Sequence, residues 1–487
     1  MTLPEASAQS LADHLCDAAL WDDGHAVWLG DERQQTDGGS EVVHRSIDGD
    51  LYGGTAGIAL ALARLYRHTG TARYLETARG AVRHSARWLD RQQPTADLYA
   101  GCLGVLLAMA EVAAAASDEP MMADVRSRAD VARLKRPPGF DLVSGSAGAV
   151  IGWRALARLT GQASLADEAE LAISRLRAAS RASAAGAWWS DSPTDQPLCG
   201  LAHGASGAAW ALSEVAVADD DETLIGMARS ATRYERGMYS AAAGGWPDLR
   251  EFDHGRLARG DVPTRPAMWC HGSIGIGLVR LRMFELFGDP ADAAESSAAI
   301  STLDALFAVL DHSERLDFSL CHGLAGAVEL LVMAGEVFGD QSMRDRAHSV
   351  AATMCDLAEG SGSWPCGVPG GTDNPSLMLG RAGVALALLR SVVPGIERVG
   401  LLYTEPISTT RIIVKVEGAL DQAAVTEYSA TFGSTVPGSR VVRVSRTGRF
   451  LLELTGRSDA ALAVSRLAGL DGVAYAEIDS VDHATDR

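Results

Sequence analysis

The stretch WCHGSIGIGL, residues 269–278, decides how this sequence is interpreted. It places Cys270 and His271, two residue types that bind metals, directly before a Gly-x-x-Gly unit and an apolar run. A second Cys-His-Gly tripeptide, residues 321–323, is followed by the same pattern. Two such tripeptides in a chain with 7 cysteines and 12 histidines indicate a repeated structural unit that carries chemistry.

Five further copies of the Gly-x-x-Gly unit support a repeat. They are YGGTAGIAL (52–60), YAGCLGVLL (99–107), VSGSAGAVI (143–151), AHGASGAAW (202–210) and MLGRAGVAL (378–386). The first glycines of the seven units are 44 to 68 residues apart, which is about one helix pair per repeat. A single unit would be weak evidence among 51 glycines, but each copy opens an apolar helical stretch.

Repeated helix pairs form either an open solenoid or a closed ring. The seven units include no obvious polar capping repeat, so we expect a mostly α fold, an α/α toroid of seven helix-pair repeats. Closure would bring the glycine turns together around one cleft. Glycine would supply unusual backbone angles there and remove a Cβ that clashes with a neighbouring helix. For the glycines themselves, packing without chemistry is the simplest interpretation.

Composition narrows the class of protein. The chain has 487 residues, 47% of them hydrophobic, and a formal net charge of −19, which argues against nucleic-acid binding. We expect no transmembrane segment and no signal peptide, because no long apolar stretch is present. The odd, irregularly spaced cysteines give no disulfide framework. We therefore expect a cytoplasmic protein whose thiols are reduced.

If the turns converge, the residues beside the glycines line the cleft. These candidates are Tyr52, Tyr99, Asp141, Ser144, His203, Cys270, His271, Cys321, His322, Asn374, Ser376 and Met378. Thiolate and imidazole are the ligands that zinc prefers, so the two CHG tripeptides predict a zinc site.

Spacing alone does not decide which histidine binds the metal. Cys199 and His203 form a rival pair at positions i and i+4, although Cys199 is more simply a core residue. Either CHG tripeptide alone would more often be a buried cysteine beside a polar histidine. The other cysteines, Cys16, Cys102, Cys355 and Cys366, are interpreted as core or surface thiols.

The motifs resemble the lanthionine synthetase C-like family, the cyclases of lanthipeptide biosynthesis. The matching stretches are LYGGTAGIAL, DLVSGSAG, GLAHGASG, WCHGSIGIGL, the Cys321-His322-Gly323 turn and PSLMLGRAGVALALLR, spread over residues 45–392. Stand-alone cyclases often have WCYG at the position of WCHG. The WCHG of this sequence more closely resembles the cyclase domains of two-function synthetases. We expect no dehydratase portion, since the motifs begin near Tyr52.

The resemblance implies that Cys270, Cys321 and His322 hold Zn²⁺. It implies an acid–base role for His203, supported by Asp141, and His271 is expected to act beside the metal. Arg265 precedes Cys270 by five residues, while Pro266 occupies the position where the family tends to carry arginine. The role of Arg265 is therefore open.

The implied reaction adds a peptide cysteine thiolate to dehydroalanine or dehydrobutyrine, which closes a thioether ring. The implied partners are a dehydrated ribosomal precursor peptide and a dehydratase or kinase-like enzyme. A zinc hydrolase that uses His203 or His271 is one alternative, disfavoured because two thiolate ligands weaken a Lewis acid. A zinc-containing peptide-binding scaffold without cyclase activity is the other.

The helical pattern stops near Val393, so the first domain is predicted at 1–395 and a linker at 396–408. Residues 409–480 follow the order β-α-β-β-α-β, which predicts a small α+β ferredoxin-like domain. RIIVKVEG, VVRVSRTGRFLLEL and LAGLDGVAYAEID resemble the propeptide of subtilisin-type proteases. The resemblance implies docking to a separately encoded subtilisin-like protease; a structural or peptide-binding appendage is the alternative.

Overall fold

The chain is mostly helical, as the repeat predicts. The computed structural model describes residues 1–36, 39–190, 196–250, 252, 256, 259–308, 316–406, 409–417, 420–436, 439–445, 448–455 and 460–478. No helix within these ranges is long and apolar enough to cross a membrane.

Seven inner helices begin directly after the first glycine of the seven repeat units. They are α2 (Thr55–Thr69), α4 (Cys102–Ala116), α6 (Ser146–Thr160), α8 (Ala205–Asp219), α10 (Ser273–Phe287), α13 (Leu324–Val337) and α15 (Arg381–Arg390). Each packs against the next, and α15 packs against α2. The inner helices therefore form a closed cycle of contacts.

Outer helices pair with the inner ones. Six follow their partners in sequence: α3 (Ala72–Gln92), α5 (Glu119–Ala132), α7 (Ala166–Ala179), α9 (Glu222–Met238), α11 (Pro290–Ser301) and α14 (Gln341–Ser361). A short helix, α12 (Leu303–Phe307), follows α11. The seventh partner comes from the start of the chain, because α1 (Leu3–Asp17) packs against α15. Its amphipathic face buries Leu11 and Leu15 there.

Main-chain hydrogen bonds join all seven glycine turns in a circle. In each bond the amide of the first residue donates to the carbonyl of the second. The pairs are Tyr52 and Tyr99, Tyr99 and Val143, Leu142 and Ala202, Ala202 and Cys270, Trp269 and Cys321, Cys321 and Met378, and Met378 and Tyr52. The N···O distances are 2.9 to 3.1 Å, so each is a well-formed bond. The residues beside the glycines are thereby fixed at one end of the ring.

The repeated glycines are required by this close approach. A Cβ on the second glycine of each unit would collide with the carbonyl oxygen six residues earlier, as Gly275 would with Trp269. Six of the seven first glycines have extended, negative φ that other residues also adopt. Only Gly272, among these, has a positive φ, +133°. Lack of space explains the pattern better than unusual backbone angles.

A strap of residues 394–405 covers the other end of the inner helices. Its residues Val399, Leu401 and Leu402 are buried against the ring. The Trp269 indole donates to the Gly400 carbonyl at 2.7 Å, and Arg282 donates to the Glu405 carbonyl at 2.7 Å. Most of the predicted linker thus packs as part of the helical core.

Buried ion pairs line this covered end. Five repeats carry a charged residue seven positions after the second glycine: Arg64, Glu111, Glu214, Arg282 and Arg390. Arg64 pairs with Glu111 at 2.9 Å, and Arg282 with Glu214 at 2.7 Å. Removing one member of such a pair leaves an uncompensated buried charge, which costs about 3–5 kcal/mol.

Within the described residues, three two-stranded antiparallel sheets lie outside the helix pairs. They are β1 (Leu20–Asp22) with β2 (His25–Val27), β3 (Leu29–Thr36) with β4 (Gly39–Ser46), and β5 (Arg181–Ser183) with β6 (Gly186–Trp188). Strand β3 is tied to the seventh repeat, because the Asp31 carboxylate accepts the Thr372 and Asp373 amides.

The tail forms a separate four-stranded antiparallel sheet. Its elements are β7 (Thr409–Val416), α16 (Gln422–Thr435), β8 (Ser439–Val444), β9 (Arg449–Thr455), α17 (Ala460–Ala468) and β10 (Val473–Ile478). The strand order is β10-β7-β9-β8. Ile412, Val414, Phe450 and Leu452 alternate along the two central strands and form a core with Phe432 of α16. Residues 407–408 and 479–480 of the predicted linker and tail lie outside the described residues.

Candidate metal centre and acid–base pair

Cys270, Cys321 and His322 meet at the glycine-turn end of the ring. One ligand atom from each lies within 4.8 Å of the others, in the only group of this kind among the described residues. Neighbouring turns explain the meeting of residues 51 positions apart, because the Trp269 amide donates to the Cys321 carbonyl. Cys321 is fully buried, and Cys270 is 6% exposed.

The pKa values of the two thiols are shifted in opposite directions. A hydrogen bond from Cys321 holds the pKa of Cys270 well below its usual range, against the effect of burial, and His322 lowers it further. Burial raises the pKa of Cys321, as does its negatively charged neighbour Cys270. These surroundings favour the thiolate form of Cys270, which is the form that a metal ligand requires.

His322 is oriented by its backbone surroundings. Its Nδ1 lies 3.0 Å from the Gly367 carbonyl oxygen, which can only accept, so Nδ1 carries the proton. Nε2 is then free to act as a ligand. A Cβ at residue 367 would crowd this ring, so glycine permits the close approach of the loop.

A soft donor set of two sulfurs and one imidazole nitrogen fits zinc. Three protein ligands would leave one position of a tetrahedron open. The Tyr52 hydroxyl lies 3.0 Å from the Cys321 sulfur, so an aromatic residue of the first repeat also borders this group.

His203 and Asp141 form a pair on the same face of the ring. Nδ1 of His203 lies 2.8 Å from Oδ2 of Asp141, which leaves Nε2 of His203 unblocked. Burial alone would lower the pKa of His203, but the Asp141 hydrogen bond and charge outweigh it, so the pKa is raised. Asp141 also accepts the Ser144 amide at 2.7 Å through Oδ1. It therefore caps its turn and orients the imidazole at once.

His271 stacks on His203, with ring centroids 5.5 Å apart and an angle of 23°. Burial, with the positive charge of Arg250, lowers the pKa of His271 to about 4, so this ring is neutral at pH 7. Its Nδ1 is buried without a hydrogen-bond partner among the described residues.

Two arginines near the site differ in position. Arg265 donates to the carbonyls of Met238 and Gly245 and so links the end of α9 to the turn at Gly245. Arg250, which the sequence interpretation missed, is held by the Asp248 carboxylate at 2.6 Å. Its pKa is raised by that hydrogen bond and further by the charges of Asp248, Cys270 and Cys321. No spacing signal marks Arg250, because it lies in an irregular segment between repeats.

The other predicted lining residues have structural contacts. Burial raises the pKa of Cys199, and among the described residues Cys199 is not part of the group that could hold a metal. Asn374 donates to the Asp31 carbonyl at 3.0 Å, and its own oxygen accepts the Ser376 amide. Met378 contributes to the circle of turn hydrogen bonds.

Comparison with known proteins agrees with the resemblance in the motifs. The family model described as "Lanthionine synthetase C-like protein" matches residues 45–401. The range includes all seven glycine turns and most of the strap.

Two known proteins are also similar to this chain. The lacticin 481/lactococcin biosynthesis protein LcnDR2 of Lactococcus lactis subsp. lactis is 20% identical over 366 residues, or 72% of this chain. The match spans 37% of that relative's length. The structure of nisin cyclase superposes with a TM-score of 0.54 at 16% identity, over 72% of this chain and 90% of the other. The latter match establishes a shared fold.

The pairing of His203 with Asp141 predicts a change in titration. In Asp141→Asn the carboxylate charge is lost while the shape is kept, so the pKa of His203 should fall. Because a raised pKa keeps the imidazole protonated to higher pH, the variant should lose its proton earlier as pH rises. Titration of ¹⁵N-histidine resonances measures this, with Asp118→Asn, at the N-cap of α5, as the control. An unchanged or higher His203 pKa in Asp141→Asn would contradict the assigned pair.

Proposed function

Because this chain belongs to the lanthionine synthetase C-like family, we propose that it is a zinc-dependent lanthipeptide cyclase. It joins cysteine thiols of a dehydrated ribosomal precursor peptide to dehydroalanine or dehydrobutyrine. The observation that carries the proposal is the meeting of Cys270, Cys321 and His322 beside the His203–Asp141 pair.

The architecture that we propose for this function is an α/α toroid over residues 1–395. The closed cycle of inner helices and the circle of turn hydrogen bonds support it. A ring of this kind places the specialised turns around one cleft, where a peptide segment can reach all of them.

Cys270, Cys321 and His322 would hold the zinc ion and leave its fourth position to the substrate. Zinc, when bound, lowers the pKa of a substrate thiol so that its thiolate dominates at neutral pH. Two protein thiolates would add negative charge to the centre, and this would keep the substrate sulfur nucleophilic. Burial of Cys321 and near-burial of Cys270 exclude water from the ligand sulfurs.

The bond changes follow from the substrate groups. The substrate sulfur forms a C–S bond with the β-carbon of the dehydro residue, and the π electrons move to an enolate. The α-carbon then takes a proton, for which Nε2 of His203 is the donor. The raised pKa of His203 keeps that proton available near neutral pH.

Arg250 and His271 complete the site. The Arg250 cation, fixed by Asp248, offers a positive charge to the developing enolate. His271 stays neutral and stacks on His203, so it positions that imidazole without competing for its proton. A hydrolase is less well supported, because two thiolates weaken the activation of water.

Cyclisation predicts a diagnostic pair of measurements on one variant. With a dehydrated precursor peptide, the protein should consume free thiols while the peptide mass stays constant. Cys270→Ala should lose bound zinc and slow ring formation by roughly 100-fold or more, since even groups that only support a ligand matter 10- to 100-fold. Alkylation followed by mass spectrometry measures both the free thiols that remain and the mass of the peptide.

Cys355→Ala is the matched control, because Cys355 is buried on α14 away from the turns. It should keep zinc and activity. Zinc binding without ring formation by the unmodified chain would favour the scaffold alternative, and a peptide mass gain of one water would favour hydrolysis.

We further propose that residues 409–480 form a ferredoxin-like domain that docks on a subtilisin-like protease. The strand order β10-β7-β9-β8, with two helices against one face, supports this. On the opposite face, Ile413 pairs directly with Leu451, and both side chains are only partly buried. A protease surface could cover this apolar pair.

Docking predicts that the full chain inhibits or retains a subtilisin-like protease from the same cell. Leu451→Arg should weaken the interaction at least tenfold, because it places a charge on the open face. Leu462→Arg, an exposed position on α17, is the control and should bind normally. Recovery of no protease by the full chain, or equal binding by a chain ending at residue 405, would refute docking.

A further inference from the structure

Tyr52 makes a contact that the proposed reaction has not used. Its hydroxyl lies 3.0 Å from Sγ of Cys321, within hydrogen-bond reach of sulfur. The contact joins the first repeat to the sixth across the turn end of the ring, over 269 positions of sequence. Cys270 receives its hydrogen bonds from Cys321 and His322 instead. The two candidate ligand sulfurs therefore differ in their surroundings.

The circle of turn hydrogen bonds fixes the position of Tyr52. Its amide donates to the Tyr99 carbonyl, and its carbonyl accepts the Met378 amide. Its ring also meets the edge of Tyr99, with centroids 6.3 Å apart and an angle of 80°. The backbone on both sides and a contact of the ring with Tyr99 thus hold Tyr52, and its hydroxyl lies at Cys321.

A phenol at this distance has one chemical role toward a thiolate. A tyrosine hydroxyl, whose reference pKa is about 10, carries a proton at neutral pH and can donate it. A hydrogen bond to an ionised acceptor is roughly twice as strong as one between neutral groups. Donation draws electron density away from the accepting sulfur, which then transfers less charge to a bound metal.

We propose that Tyr52 is a positioning residue that donates a hydrogen bond to the Cys321 ligand sulfur and limits the charge it gives the metal. The inference rests on the proposed zinc site. Cys270 becomes the more strongly donating thiolate and Cys321 the weaker one. The substrate sulfur then binds a centre that is negative enough to keep it reactive, yet electrophilic enough to hold it as a thiolate.

The structure supplies a matched pair of variants. Tyr99 is fully buried beside Tyr52, and its hydroxyl has no hydrogen-bond partner among the described residues. Tyr52→Phe removes the hydroxyl that contacts Cys321, whereas Tyr99→Phe removes one that contacts no sulfur. Any effect of repacking an aromatic ring at this end of the molecule should appear in both.

The test uses Co²⁺ in place of zinc in the full-length protein and reads the sulfur-to-cobalt charge-transfer absorption. Tyr52→Phe should shift this band to longer wavelength, because a more electron-rich sulfur is easier to oxidise. Tyr99→Phe should leave the band in place. Thermal unfolding of both metal-free variants, at temperatures close to that of the unmodified chain, shows that each one folds.

The outcomes separate the two levels of the proposal. Absence of any sulfur-to-cobalt band in the unmodified chain would overturn the metal site and, with it, the role of Tyr52. A normal band that is unmoved in Tyr52→Phe, or moved equally in Tyr99→Phe, would overturn the role of Tyr52 and leave the metal site standing. Failure of Tyr52→Phe to fold would make Tyr52 a structural residue and also overturn the proposal.

Discussion

The circle of backbone hydrogen bonds among the seven glycine turns is the constraint on which the rest of the structure depends. It links each turn to the next and the last to the first, at 2.9 to 3.1 Å. Because the bonds use only main-chain atoms, the side chains beside the glycines are free to vary. One position thus holds Tyr52 in the first repeat and Cys321 in the sixth, and the same frame can carry ligands, acids and aromatic rings.

The two ends of the ring have different physical tasks. At the turn end, polar side chains from different repeats meet and keep atoms without a hydrogen-bond partner among the described residues, such as Nδ1 of His271. At the other end, the strap of residues 394–405 and buried pairs such as Arg282 with Glu214 satisfy charges completely. The end covered by the strap holds the inner helices together, and the turn end carries the groups that the proposed chemistry needs.

The sequence predicted the features that depend on local spacing. Repeated glycines with an apolar continuation located the inner helices, and the two CHG tripeptides located the thiols that meet. Asp141 and His203, 62 residues apart, were paired through the family resemblance, and the distance of 2.8 Å agrees with that pairing. Features created by chain closure were missed, as with α1, whose partner α15 lies at the far end of the repeats. The charged residue seven positions after the second glycine was a usable signal for the strap, because Arg282 and Glu214 bond to the backbone of Glu405. Arg250 left none, since it lies in an irregular segment between repeats.

The central claim is that Cys270, Cys321 and His322 hold zinc with one position open to a substrate thiol. X-ray absorption at the zinc edge tests it most directly, on the full chain before and after addition of a peptide with one free cysteine. Two sulfur ligands and one imidazole are expected before addition, and three sulfurs afterwards. A sulfur count that stays at two, or a zinc ion with no sulfur ligand at all, would contradict it.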